Sequence, residues 1–259
     1  MLHICETFGN NFDVKYNPSK SVVMCIRKRS QELPDIYLAE HRLHWVNVIK
    51  HLGNYVRSDL KETCEITNKR GDMIGRINSL CATFFHANDR VKQEILNSRC
   101  CHFYGSEAWN MSTPEFDAFC KTWNRGVRKT FDLPFQTHTR FLKHFVKRSH
   151  VTDQLFRRFY KLLNVMLQSK NPKVLYLANI CQHDSMSIIG KNLQCIAKRY
   201  NFNYYERLHR AFNLNNFYVS SSQEEKRTVA QIMELRDCKN DLSLDCDEFD
   251  TILKYLCCF

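Results

Sequence analysis

Met111–Phe131 reads MSTPEFDAFCKTWNRGVRKTF, and the spacing inside it decides the class of fold. Ser112 or Thr113 offers a side-chain oxygen to cap a helix, Pro114 suits the first turn, and Glu115 stands three residues after Ser112. Phe116, Phe119, Trp123, Val127 and Phe131 then recur every three or four residues, one stripe on a helix of 3.6 residues per turn. Lys121, Arg125, Arg128 and Lys129 fall on the opposite face. The segment reads as an amphipathic helix with one side to bury and a cationic side to expose. Leu133-Pro134 ends it, because proline lacks an amide hydrogen and restricts the residue before it.

The same period extends outward in both directions. Downstream it predicts helices at about 139–147, 152–168, 172–181 and 187–200, the second with Leu155, Phe159, Leu162, Leu163 and Met166 on one side. An Asn-rich stretch at 213–223 reads as a linker, followed by helices at 224–238 and 247–256. Upstream, Met73, Ile77, Leu80, Cys81 and Phe84, then Val91, Ile95 and Leu96, mark two helices beginning after Asp72. Strand signals are confined to residues 12–60. There DVKYN (Asp13–Asn17) and SVVMCI (Ser21–Ile26) flank an Asn17-Pro18 turn, and Leu52-Gly53 interrupts a later run as a bulge or tight turn would. Little sequence precedes Phe12 to cover such a sheet, so an incomplete antiparallel sheet is expected. The expected class is α+β, mostly α, divided at 1–62, 63–112, 113–212 and 213–259.

Charge placement narrows the function. The net charge is +11 over 259 residues, yet residues 119–210 hold 18 Lys and Arg against four acids, so the remainder is slightly acidic. A block of this kind attracts a polyanion, nucleic acid or an anionic surface, unless it is simply a solvated helical face. No run approaches the roughly 18 apolar residues of a membrane span, and thirteen cysteines without a secretory signal point to a reduced intracellular chain, nuclear or cytoplasmic. Phosphate-cradling and nucleophile-elbow motifs are missing from the sequence, as are adjacent aspartates and Cys-x-x-Cys pairs. Asp245, Asp247, Glu248 and Asp250 read as helix capping rather than metal binding, and the Cys238–Cys246 spacing is not a zinc spacing. No metal site is expected. Trp123, Phe131, Phe135, Phe141, Phe145, Phe156, Phe159 and Tyr160 interleave with the cations; the rings are assigned mainly to the core and the charges to the partner. The candidate nucleic-acid contacts are Arg125, Arg128, Lys129, Arg140, Lys143, Lys147, Arg148, Arg157, Arg158 and Lys161.

Four segments in order carry a resemblance: FDVKYNPSKSVVM (Phe12–Met24), HLGNYV (His51–Val56), CCHFYGSEAWN (Cys100–Asn110) and WNRGVRKTFDLPFQTH (Trp123–His138). Together they resemble the C-terminal part of non-LTR, LINE-type retrotransposon reverse transcriptases, with specific motifs over about 12–150. The resemblance implies that Asn17, Lys20 and Ser21 belong to the last palm motif, with Lys20 contacting phosphate or donating a proton near the incoming nucleotide. It implies a primer grip at Leu52 and Gly53, a helical thumb at 63–112 and a basic helical extension at 113–212. The implied partners are RNA and DNA as a template-primer duplex, together with an N-terminal palm and fingers. The family's catalytic aspartates belong upstream of residue 1, so Mg²⁺ is expected only for the full polymerase, and this chain is expected to have no cofactor and no polymerase activity of its own. A non-catalytic nucleic-acid-binding or protein-interaction module derived from such an element is the alternative.

Overall fold

A computed structural model describes residues 2–26, 33–61, 63–200 and 223–240, and the chain forms two compact units, Met1–Glu65 and Ile66–Phe259. The fold is mostly α, with a small β component of two-stranded pairs.

The first unit opens with helix α1 (Leu2–Phe12). The strand expected at Asp13–Asn17 is not formed. Asp13 turns the chain with φ 51°, the Val14 amide donates to the Gly9 carbonyl at 2.9 Å, and Tyr16 packs beside Gly9. The expected antiparallel hairpin across Asn17-Pro18 is likewise replaced. Pro18–Lys20 forms a 3-10 turn tied to Asn17, whose carbonyl accepts from the Lys20 amide and the Ser21 hydroxyl. Beyond it, β1 (Val22–Val23) pairs parallel with β4 (His44–Trp45). Strands β2 (Tyr37–Leu38) and β3 (His41–Arg42) form one antiparallel pair, and β5 (Val48–His51) and β6 (Asn54–Arg57) another. Helix α1 meets the β2–β3 turn through Glu6, whose carboxylate accepts the Ala39 amide at 2.7 Å, while its Ile4, Phe8 and Phe12 are exposed.

The β5–β6 hairpin shows how sequence sets register. His51 pairs with Asn54, which leaves Leu52 and Gly53 as a two-residue loop with φ 48° and 82°. Two positive φ values make a type I′ turn, whose twist matches the flanking strands. The tight turn expected at Leu52-Gly53 is therefore present.

In the second unit the helix whose period is read from Met73 starts ten residues earlier, at the start of the expected helical segment 63–112, as α2 (Thr63–Thr83), whose first turn lies in the first unit. Helix α3 (Asp89–Ile95) is capped by the Asn88 side chain on the Val91 amide and runs into a π turn at Leu96–Cys100. Helix α4 (Pro114–Thr130) has Thr113 as its cap, with Oγ1 accepting the Phe116 amide at 3.3 Å. Its predicted stripe is buried throughout, from Phe116 to Phe131. Phe103 and Trp109 meet that stripe edge-on, with ring centroids 5.0 Å apart for Trp109–Phe119 and 5.8 Å for Phe103–Trp123.

A 3-10 turn (Thr139–Phe141) leads into α5 (Leu142–Val146), then α6 (Val151–Leu167), α7 (Pro172–His183), α8 (Ile188–Tyr200) and α9 (Gln223–Asn240). On α6, Leu155, Phe156, Phe159 and Leu163 are buried, whereas Leu162 lies off the stripe and is exposed. Gln223, expected to end a linker, begins a helix, while the rest of that linker and the helix expected at 247–256 fall outside the described residues.

Candidate nucleic-acid interface

The motif segments have structural duties that explain their residue types. In Tyr104–Trp109, Gly105 takes φ 86° to enter the 3-10 turn Ser106–Ala108, Glu107 pairs with Arg158 of α6, and Trp109 is 1 % exposed. In Trp123–His138, both Nε and Nη2 of Arg128 donate to the Thr137 carbonyl, at 2.9 and 2.7 Å, and Leu133 is buried. The Arg128 fork thus clasps the loop back onto the end of α4. Arg128→Ala should destabilise the fold by roughly 1.5–3 kcal/mol, the range for hydrogen bonds from a charged donor, and Arg128→Lys should recover little because lysine has no fork. Urea denaturation of the three proteins checks this.

The cations of α4 divide by helical position. Lys121, Arg125 and Lys129 follow one another at i, i+4 and i+8, and all three are exposed. Facing them, α2 sends Arg70, Ile74, Ile77 and Asn78 from one side. The two helices bound a groove of ≈ 510 Å³ lined by these residues, and among its described lining residues there is no acid. Gly126 lets the helices approach at its floor, since a Cβ there would stand 2.3 Å from Ile77 Cδ1. Lys129 Nζ donates to Asn78 Oδ1 at 2.8 Å, which holds the ammonium over the groove without neutralising it. Four positive side chains beside an apolar floor make a surface that a phosphate backbone can follow.

The other candidates lie elsewhere. Arg140, Lys143 and Arg148 line a second cavity, where Arg140 lies over the Phe141 ring and Lys143 bonds Glu225 at 3.1 Å. Lys147 is exposed at the end of α5 with φ 51°, and Lys161 is exposed on α6. Arg157 is half-buried, and Arg158 is engaged with Glu107. Lys20, Leu52 and Gly53 belong to the first unit, all three exposed. Sequence reasoning missed Arg70, which lies outside the basic block; its spacing of four and seven from Ile74 and Ile77 was the available signal. Of the interleaved rings, Trp123, Phe131, Phe141, Phe145, Phe156 and Phe159 are buried, Tyr160 is half-buried, and Phe135 is 74 % exposed.

Burial also governs the titratable groups. It pushes the Cys100 thiol to about 11 and those of Cys101 and Cys120 to about 12, which disfavours the thiolate a nucleophile needs. Burial pulls the imidazoles of His144 and His150 below their ordinary value, Lys143 adding to the effect on His144. The folded chain thus prefers both neutral, and the unfolded chain takes up protons first as the pH falls. Their contribution to stability should be complete above about pH 6.5 and decline below it, as denaturation midpoints between pH 7.5 and 5.5 would show. Among the described residues no three His, Cys, Asp or Glu side chains gather to hold a metal, and no helix is long and apolar enough to cross a membrane.

Compared with protein families, curated proteins and solved structures, the chain matches none.

Proposed function

We propose that the chain is the C-terminal part of a LINE-type reverse transcriptase and that it holds the template-primer duplex in the groove between α2 and α4. The observation that carries this reading is the convergence of Arg70, Lys121, Arg125 and Lys129 on one groove without an acid among its described lining residues. The ordered motifs support it, and so does the tight turn at Leu52-Gly53, where the family's primer grip would stand. Recognition of this kind is by backbone charge, so binding is insensitive to base sequence and steeply dependent on salt.

The 259 residues contain no aromatic-Ala-Asp-Asp motif, and the Mg²⁺ of the full polymerase has no carboxylate set here on this reading. Purified chain should therefore bind an RNA–DNA duplex without extending its primer when Mg²⁺ and deoxynucleotides are added. Binding is tested by titrating the duplex at several salt concentrations. Neutralising about four phosphates predicts a slope of log K against log salt of about −3.6. A slope near zero would defeat the proposal.

A further inference from the structure

Asn124 is 8 % exposed on α4, and its amide is not among the polar atoms sealed from solvent without a partner, so it keeps an opening toward the cavity it lines. That second cavity, of ≈ 610 Å³, shares no lining residue with the duplex groove. Around it four cations converge from separate parts of the chain: Arg140 from the 3-10 turn, Lys143 from α5, Arg148 from the link after α5, and Arg199 from α8. Asp153 is the one acid among the described lining residues, and it is already engaged by the Tyr200 hydroxyl and, at 3.5 Å, by Arg199.

Two of the four cations are met by the chain's own acids: Arg199 by Asp153, and Lys143 by Glu225 of α9, which is not a lining residue and whose carboxylate oxygen stands 3.1 Å from Lys143 Nζ and 3.6 Å from His144 Nε2. Arg140 and Arg148 remain exposed along the rim. Guanidinium forks match the oxygens of a phosphate monoester, whose two negative charges suit the excess of cations. A bare phosphate would leave most of ≈ 610 Å³ empty, and this volume lies within the range of small-molecule sites. An Asn amide offers one donor edge and one acceptor edge, the pair needed to meet the polar edge of a base.

We infer that this cavity is a nucleoside monophosphate site, with Arg140 and Arg148 on the phosphate and Asn124 on the nucleoside. The monophosphate is either a free nucleotide or the 5′-phosphorylated end of a strand. The assignment does not depend on the duplex reading, because the two sites use different residues.

The test is equilibrium titration of the full chain with each of the four nucleoside 5′-monophosphates, the parent nucleosides and inorganic phosphate. At least one monophosphate should saturate at one per chain and bind tenfold or more tightly than its nucleoside or phosphate alone. Arg140→Gln/Arg148→Gln should weaken it at least tenfold, and Lys121→Gln/Arg125→Gln should leave it unchanged. Asn124→Ala should also weaken it without lowering the thermal midpoint, since the amide has no described partner to lose. No saturation, phosphate binding as tightly as the nucleotide, or equal loss in the groove variant would each overturn the inference. Competition by a 5′-phosphorylated dinucleotide as strong as that of the mononucleotide would support a strand end as the source, and its failure would support the free nucleotide. Retained duplex binding by the Arg140/Arg148 variant would separate this site from the groove.

Discussion

Lys121→Gln/Arg125→Gln/Lys129→Gln should bind an RNA–DNA duplex about a hundredfold more weakly than the unaltered chain near 0.15 M salt, a loss of roughly fivefold per phosphate contact removed. The salt slope should fall by about 2.7 in the same protein, since each lost contact removes one set of released counterions. The three side chains are exposed, and Lys129 alone has a described hydrogen-bond partner, the uncharged Asn78. The thermal midpoint should accordingly stay close to that of the unaltered chain. A uniform loss across duplexes of different sequence is expected, because contacts to phosphates carry no sequence information.

The largest effect on stability is expected at Asn192. This residue is fully buried on α8, where its Oδ1 accepts the Met111 amide at 2.8 Å and its Nδ2 donates to the Trp109 carbonyl at 2.8 Å. One side chain therefore satisfies two backbone groups of the segment that leads into α4, and it fastens α8 to the edge of the aromatic core. Asn192→Ala leaves both groups buried and unpaired. At about 1–3 kcal/mol for each, the loss should be roughly 2–6 kcal/mol, read from the urea midpoint. A loss below about 1 kcal/mol would mean that the segment around Trp109 does not depend on this clasp.

The parts of the fold that were legible in the sequence are those where one local signal sufficed. The helix at Pro114–Thr130 carried a cap, an N-terminal proline and an unbroken apolar stripe, and all of these hold in the structure. Leu52-Gly53 carried a turn signal strong enough to set a hairpin. Asp13–Asn17 misled because its alternating pattern imitates a strand, although Val14 and Tyr16 are exposed and the backbone is spent on the turn after α1. The early start of α2 was hidden because only Ile66 among its first apolar residues is fully buried, so no period was visible before Met73.

At the candidate site, charge was legible and its arrangement was not. Arg125, Arg128 and Lys129 look equivalent in sequence, yet Arg128 is turned to a carbonyl nine residues away while the other two face α2. Arg158 and Lys161 stand one turn apart on α6, but Arg158 meets Glu107 from a distant segment. Only tertiary packing decides which cations are engaged by the chain itself and which are presented to a partner. Arg70 shows the converse: a cation outside the basic block joins the groove because α2 packs on α4 at Gly126.

The groove can be tested where it lies. A photo-crosslinking amino acid placed at Ile74, which is 40 % exposed within the groove, should capture an RNA–DNA duplex on illumination, and the yield should fall as salt rises. The same amino acid at Val165, 65 % exposed on α6 and outside the groove lining, should capture little. Equal capture at both positions, or none at Ile74, would contradict the placement of nucleic acid between α2 and α4.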